Sequence, residues 1–181
     1  MSFQLYADEF EESDQQEFAR LNCGDEPWAR AATEWIQGSD VVDSIKQHGT
    51  RVWVFRTEAD EVIGFGSIGP SQWQWPPPDG ERGCQLMIPQ LGISIEFRGQ
   101  PPDPKFRFSN QIMEHLIEEA DQWAAEIRKT KPPKKHVKLL ILHVHRDNAS
   151  AQRLYQKFDF VRLPEFERNN HFAMYRRLCE E

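Results

Sequence analysis

Hydrophobic and polar residues change their spacing several times along the chain, and each change predicts a new structural element. Residues 3–10 (FQLYADEF) alternate in the way that is typical of an edge strand. Residues 50–69 alternate on both sides of a polar turn at 58–61, which predicts two strands joined by a hairpin turn. Residues 84–97 (CQLMIPQLGISIEF) form another extended run, in which Pro89 and Gly92 predict a bulge or a strand that parts from its neighbour.

A spacing of three to four residues between apolar side chains marks the helical segments. Residues 12–48 have this spacing, interrupted at 24–27 and 38–40, and Ser39 or Asp40 would cap the helix that follows. Residues 109–127 form a longer helix with a single apolar stripe, for which Ser109 is a suitable N-cap. The stripe comprises Ile112, Met113, Leu116, Ile117, Ala120, Trp123, Ala124 and Ile127.

The last third of the chain returns to strands. Residues 137–144 (VKLLILHV) are almost continuously apolar, as in a strand that is buried on both faces beside a parallel neighbour. A short helix follows, and then two strand-like runs at 160–164 and 171–178. This order predicts an α/β or α+β fold with a mixed, mostly antiparallel sheet of about six to seven strands, flanked by helices, in a single domain spanning residues 1–181.

Composition and charge narrow the classes of protein that fit. The net charge of −7 and the mean hydropathy of −0.71 disfavour a protein whose whole surface binds nucleic acid, although residues 129–138 (KTKPPKKHVK) are locally basic. No apolar run reaches the length of about 20 residues that a membrane helix needs, and the first residues do not resemble a signal peptide. Three widely spaced cysteines, Cys23, Cys84 and Cys179, indicate free thiols, so we expect a cytoplasmic protein without a membrane partner.

Three stretches carry a resemblance to a known family. They are ISIEFRGQ (93–100), LLILHVHRDN (139–148) and ASAQRLYQKFDF (149–160), with an amphipathic helix between the first and the second. In this order they resemble the GNAT superfamily of acyl-CoA N-acyltransferases, and the likeness covers nearly the whole chain. One departure is Asp159, where the family usually has glycine before the final aromatic residue.

The resemblance implies a sheet that is splayed between its fourth and fifth strands and acetyl-CoA as the co-substrate. The pantetheine arm would then bond to backbone groups of Ile93, Ser94 and Ile95, as an added strand does. Tyr155 would protonate the departing thiolate, and Asn148 would cap the short helix and bond the pantetheine. The substrate amine would attack directly, without a covalent acyl-enzyme.

The phosphate-binding loop departs from the family pattern. Arg98 and Gly99 are present, but a proline-containing segment follows Gln100, and Arg107 and Ser109 stand where later glycines are usual. Two outcomes are open: side chains hold the phosphates instead of backbone amides, or the domain has lost the cofactor and binds something else. We expect binding to be retained, through Arg98, Gly99, Gln100, Lys105, Arg107 and Ser109.

The general base is poorly specified by the sequence. Glu96, at the end of a predicted strand, is a candidate, although a role in a turn is the commoner explanation for such a residue. His143 and His145 project to one face of their strand and are the alternative, as groups that could deprotonate an amine directly or through water. A His-x-His pair without an evident third ligand does not predict a metal site, so no metal is expected. Trp73 and Trp75 could form an aromatic wall for the acceptor or cover the sheet edge.

Three functions remain in competition. The first is an N-acetyltransferase that moves the acetyl group of acetyl-CoA to a primary amine of a small molecule or peptide. The second is a toxin-type acetyltransferase acting on aminoacyl-tRNA, which residues 154–178 also resemble, although the acidic balance makes a nucleic-acid partner the less favoured one. The third is a non-catalytic binding module with a remodelled loop. The sequence does not predict the oligomeric state.

Overall fold

The computed structural model describes residues 4–71, 84–130 and 137–179, so the predicted roles of Trp73, Trp75 and the middle of the basic segment lie outside the described residues. Two compact units divide the chain: Met1–Ile68 with Gln90–Leu116, and Gly69–Pro89 with Ile117–Glu181. The strands are β1 (Tyr6–Glu9), β2 (Arg51–Arg56), β3 (Val62–Pro70), β4 (Cys84–Ile88), β5 (Leu91–Ile93), β6 (Val137–His145), β7 (Val161–Arg168) and β8 (His171–Arg177). The α-helices are α1 (Gln15–Phe18), α2 (Pro27–Gln37), α3 (Asp40–His48), α4 (Phe108–Lys129) and α5 (Ala149–Lys157).

The first unit is an antiparallel sheet covered by the first three helices. β1 pairs with β2, β2 with β3, and β5 with β3, all antiparallel. Val52, Val54 and Phe65 project from β2 and β3 into one core with apolar residues of the helical segment. The helical part of this core comprises Phe18, Leu21, Cys23, Ala29, Ala32, Ile36 and Val41. Burial of this apolar surface fixes the helices on the sheet.

The second unit contains the mixed part of the sheet. β4 pairs with the end of β3 in antiparallel fashion and with β6 in parallel, and β6, β8 and β7 follow as antiparallel neighbours. β6 is the apolar strand that the sequence predicts to lie beside a parallel neighbour, and Leu140 is fully buried in it. The predicted fold class is confirmed: a mixed, mostly antiparallel α/β arrangement with flanking helices. None of the helices in the described part of the chain has the length and apolar character needed to cross a membrane.

The extended run 84–97 is two strands rather than one. β4 ends at Ile88, and β5 begins at Leu91 with a different partner, so the described residues form eight strands instead of the predicted six to seven. Pro89 explains the break, because proline cannot donate to a strand ladder. The prediction that this run parts from its neighbour near Pro89 is therefore confirmed.

The helix ends follow the predicted signals in part. Ser39 occupies the N-cap position of α3 but its side chain makes no capping hydrogen bond, and Gly49 follows the last residue of the helix with a φ of +65°, a conformation that glycine adopts without strain. Most of the predicted stripe of α4 is buried, with Ile112, Leu116 and Ala120 fully inaccessible to solvent, whereas Trp123 and Ile127 are partly exposed. The prediction that Ser109 is the N-cap is wrong: α4 begins at Phe108, because the carbonyl of Arg107 accepts the first amide bonds of the helix.

One buried guanidinium ties four segments of the first unit together. Arg56, whose side chain is only 10% exposed, forms an ion pair with Asp14 at 3.1 Å and a shorter one with Glu17. Asp8 and Asp60 lie 3.9 and 3.8 Å away. Removing the cation would leave several carboxylates facing one another without compensation, and that is the costly way to break a buried pair.

We therefore expect Arg56→Met to lower the free energy of unfolding by about 2 kcal/mol, less than a fully buried pair because Glu17 is half exposed. The matched control is Lys46→Met, which removes a solvent-exposed partner of Glu12 and should leave stability almost unchanged. Urea unfolding followed by circular dichroism measures both. Equal effects of the two substitutions would contradict a central role for Arg56.

Candidate active site

The outer edge of β5 presents backbone groups from alternate residues. In the antiparallel pair with β3, Phe65 lies opposite Gly92, the amide of Ser67 donates to Gln90 O at 3.0 Å, and the amide of Ser94 donates to Ile63 O at 2.9 Å. Residues 90, 92 and 94 therefore bond to β3. By the alternation of such a ladder, the N–H and C=O groups of Leu91 and Ile93 point away from β3.

The three residues predicted to bond pantetheine differ in where their backbone groups point. Ile93 presents its backbone groups outward, whereas the backbone groups of Ser94 and Ile95 are already bonded within the unit. Ser94 O accepts from Phe97 N at 2.9 Å, the amide of Ile95 donates to Asn22 O at 2.8 Å, and Ile95 O accepts from Arg98 N at 3.3 Å. Leu91 is the residue that the sequence did not reveal, because its role depends on the register with β3.

Two glycines let the backbones approach closely at this edge. A Cβ atom on Gly92 would lie 2.4 Å from the Phe65 ring and 2.8 Å from Cys23 Sγ, and one on Gly64 would lie 2.2 Å from Gly92 O. Neither position has room for a side chain. Burial raises the pKa of the Cys23 thiol, so this sulfur is a packed, uncharged group rather than a nucleophile.

Arg98 holds a loop in place. Its guanidinium donates to the carbonyl of Cys23 and pairs with Glu26 at 3.3 Å. The pKa of Glu26 is lowered by a hydrogen bond from its own backbone amide and then by Arg98. Glu96, the candidate base, is exposed in the turn Ile95–Phe97, and Gly99 has a φ of +75° in the next turn.

The proline-containing loop turns its carbonyl groups toward the start of α4. Gln100 O accepts from Phe108 N at 2.9 Å, and Arg107 O accepts from the amides of Asn110 and Gln111 at 2.9 and 3.2 Å. The side chain of Asn110, which is buried, donates to Pro104 O at 2.6 Å. These bonds occupy amides that an anion would otherwise use at a helix N-terminus.

Side-chain cations remain available in the same loop. Lys105 and Arg107 are exposed, and Lys105 Nζ lies 5.4 Å from the centre of the Phe106 ring. Ser109 lies in the first turn of α4, partly exposed. The loop therefore offers positive charge on side chains where its backbone donors are already used.

The short helix α5 is built as the sequence predicts. Asn148 is its N-cap, and its side-chain oxygen accepts from Ala151 N at 3.1 Å. Tyr155 is 7% exposed, 6.0 Å from the Phe160 ring between centroids, and desolvation raises its pKa to about 12. Asp159 has a φ of +62°, which explains why glycine suits this turn and why Asp, one of the more tolerant residues, can replace it.

His143 and His145 lie on one face of β6, as their spacing predicts. The pKa of His143 is lowered by burial and then by the nearby charge of His171. Within residues 4–71, 84–130 and 137–179, no group of three or more His, Cys, Asp or Glu side chains is arranged to hold a metal ion.

Comparison with known proteins identifies the fold. No protein-family model and no curated protein sequence matches this chain. Among solved structures, AtaT complexed with acetyl-methionyl-tRNAfMet is similar with a TM-score of 0.66 and 14% identity, covering 96% of this chain and 95% of that one. A GNAT-family acetyltransferase from Staphylococcus aureus gives a TM-score of 0.63 at 10% identity, covering 97% of this chain and 100% of that one.

A third similar structure is that of mutant forms of the spermidine/spermine N-acetyltransferase SpeG from Vibrio cholerae. Its TM-score is 0.56 and its identity 16%, with 96% of this chain and 95% of that chain covered. At these identities the comparison establishes the fold: the chain has the fold of GNAT acetyltransferases.

The cap of α5 gives a testable consequence. Asn148→Ala should lower the free energy of unfolding by about 1 kcal/mol, because the amide of Ala151 loses its acceptor. Asn148→Ser keeps a side-chain acceptor and should retain most of that stability. Urea denaturation of the two variants and the parent protein compares them, and a neutral Asn148→Ala would contradict the capping role.

Proposed function

We propose that this protein is an acetyl-CoA-dependent N-acetyltransferase that acts on a primary amine of a small molecule or peptide. The observation that carries the proposal is Tyr155, a buried phenol on a helix capped by Asn148 at the end of β6, within a GNAT fold. Similar structures include AtaTR bound with acetyl-CoA. Acetyl-CoA supplies the acetyl group as an activated thioester.

The edge of β5 fits the amide-rich arm of such a thioester. Leu91 and Ile93 direct backbone donors and acceptors away from β3, and an extended ligand with alternating amide groups can pair with them as an added strand. One of these amides can also donate to the thioester carbonyl as negative charge develops on its oxygen. Gly64 and Gly92 keep this edge straight and tightly held to β3.

Tyr155 is suited to deliver a proton to the sulfur that leaves. With its pKa near 12, the phenol is protonated throughout the neutral range. In water a phenol titrates near 10 and an ordinary thiol near 8.5, so proton transfer to a thiolate would be uphill by about 2 kcal/mol, and burial of the phenol alone widens this gap. Burial raises the pKa of a thiol as it raises that of a phenol, which narrows this gap for a sulfur held beside Tyr155.

The distribution of charge favours a cationic acceptor. Residues 1–68 contain 14 Asp or Glu residues and five Lys or Arg residues. An acidic field of this kind attracts an ammonium group and repels a phosphate backbone. The similarity to AtaT in complex with acetyl-methionyl-tRNAfMet keeps aminoacyl-tRNA as the second candidate acceptor.

Titration with acetyl-CoA tests the proposal directly. Binding should raise the melting temperature, and addition of a panel of primary amines should release free thiol at a rate that depends on the amine. Thiol release with aminoacyl-tRNA alone would favour the tRNA acetyltransferase. Absence of any binding would favour the non-catalytic module.

Tyr155→Phe tests the acid. The variant should lower kcat by roughly 100-fold, because the departing thiolate loses its proton donor, while the shift in melting temperature caused by acetyl-CoA stays the same. An enzyme that depends on a protonated group with a raised pKa loses activity only when the pH approaches that pKa. The parent enzyme should therefore show no fall in rate from Tyr155 ionisation below about pH 10, as a pH–rate profile measures. Unchanged kcat in the variant would remove Tyr155 as the acid.

Substitution of Lys105 and Arg107 tests whether their side chains bind the phosphates of acetyl-CoA. Replacement of both by alanine should weaken acetyl-CoA binding by roughly 10- to 100-fold, since charge-assisted bonds to the diphosphate are lost. Affinity for S-acetylpantetheine, which carries no phosphate, should not change. Isothermal titration calorimetry measures both ligands, with Arg20→Ala combined with Arg30→Ala as the charge-matched control. An equal loss for both ligands would indicate a distorted loop instead.

A further inference from the structure

Three histidines share one face of the sheet in the second unit. Along β6, His143 and His145 project to the face opposite Leu142 and Val144. β8 is in register so that His171 lies directly opposite His145, with ring centroids 5.0 Å apart and ring planes perpendicular. His143 lies opposite Ala173, one pair further along the same face.

We propose that His143 is the general base that takes a proton from the acceptor ammonium. The assignment rests on the proposed acetyl transfer to an amine. It names the residue that the sequence left undecided among Glu96, His143 and His145. Observations on ring orientation, strand faces and strand pairing support the assignment.

The backbone around the pair sets the tautomers of His145 and His171. The amide of Asp147 donates to His145 Nδ1 at 3.2 Å, so the neutral ring carries its proton on Nε2. His171 Nδ1 lies 2.8 Å from Asn169 O, and because a carbonyl only accepts, this nitrogen is protonated and Nε2 is the acceptor. Both rings therefore use Nδ1 in a backbone hydrogen bond, which fixes their orientation in the cluster.

The acid and the base lie on opposite faces of β6. Arg176 pairs with Leu140 and donates from Nη1 to Phe158 O at 3.2 Å, which places the C-terminal end of α5 on the face of Leu140. Tyr155 belongs to this helix, and His143 projects to the other face. An amine deprotonated from one face and a sulfur protonated from the other agree with addition and expulsion at a carbonyl carbon.

The histidine cluster begins where the pairing of β6 with β4 stops. Ile88 of β4 lies opposite Leu142, and the described strand pairing of residues 143–145 is with β8. The His145 side chain is 14% exposed, and the turn at Asn169 and Asn170 is exposed. The cluster therefore lies between the end of the β4 pairing and the surface.

Burial and the neighbouring His171 favour a neutral His143, although a carboxylate lies close to His145. The carboxylate of Asp147 lies 3.7 Å from His145 Nδ1, and Arg168 of β7 lies opposite His171 in the same row. Burial, followed by the charge of His171, lowers the pKa of His143. A lowered pKa for a histidine means that its neutral form, which accepts protons, predominates at pH 7.

His143 and Tyr155 account for all the protons that the reaction moves. An alkylammonium ion has two more protons on nitrogen than the amide product. One passes to His143, which gives it up to solvent before the next turnover. A C–N bond then forms, the C–S bond breaks, and the sulfur takes the proton of Tyr155. The second proton of the nitrogen returns Tyr155 to its neutral state.

The variant His143→Gln, compared on a protonated and a neutral amine, tests whether His143 removes a proton from the acceptor. With benzylamine, which is protonated at pH 7, kcat/KM should fall roughly 100-fold or more, whereas with aniline, which is neutral, the fall should be less than about threefold. The acetyl-CoA-induced shift in melting temperature should not change, and the benzylamine rate of the variant should keep rising with pH where the parent protein reaches a plateau. His48→Gln, on the exposed end of α3, is the control. Equal losses for both amines, or no loss, would overturn the assignment.

A second measurement does not depend on turnover. Histidine resonances followed by NMR between pH 4 and 8 should show that His143 titrates below about 6.5. His171→Asn should move this titration to higher pH by removing the neighbouring positive charge. A His143 that is protonated at pH 7 would overturn the proposal even if Tyr155→Phe and acetyl-CoA binding behave as expected.

Discussion

The division of the extended run 84–97 between two partners is the constraint from which the site follows. Pro89 has no N–H, so one continuous ladder cannot run through it. Among the described strand pairs, β4 bonds to the end of β3 and to β6, while β5 bonds to β3. On β5, Leu91 and Ile93 direct their backbone donors and acceptors away from β3, and an edge of this kind can bind an extended ligand as an added strand.

Burial sets the protonation states of the two proposed proton-transfer groups in opposite directions. Desolvation disfavours the charged form of any group. For Tyr155 the charged form is the deprotonated one, so its pKa rises, and for His143 it is the protonated one, so its pKa falls. The same physical cause therefore yields a protonated acid and a neutral base at pH 7. Pairs of groups whose environments push their pKa values apart in this way are typical of acid–base catalysis.

Local patterns in the sequence predicted the helices and strands. The features of the site that they did not predict depend on pairing between strands that are distant in the sequence. Several predicted features depend only on residues that are close together in the sequence. They are the strand and helix periodicities, the break at Pro89 and the Asn148 cap. The outward orientation of Leu91 follows only from the register with β3, and the nearness of His171 to His145 only from the register of β8 with β6. Ser109 has the right chemistry for a cap, yet the carbonyl of Arg107 takes that position because the preceding loop is bonded to the helix.

In the loop between Gln100 and Arg107, the proposed phosphate-binding groups are side chains rather than backbone amides. Its carbonyls satisfy the first amides of α4 and the buried Asn110, so the helix end is stable without an anion. The partial positive charge of that end is correspondingly offset by the carbonyl dipoles. A diphosphate would then depend on Lys105 and Arg107, which are exposed and must lose side-chain entropy on binding. Binding through mobile cations is weaker per contact and more sensitive to salt than binding to fixed amides. The affinity for acetyl-CoA should therefore depend on ionic strength more steeply than in a GNAT enzyme with a glycine-rich loop.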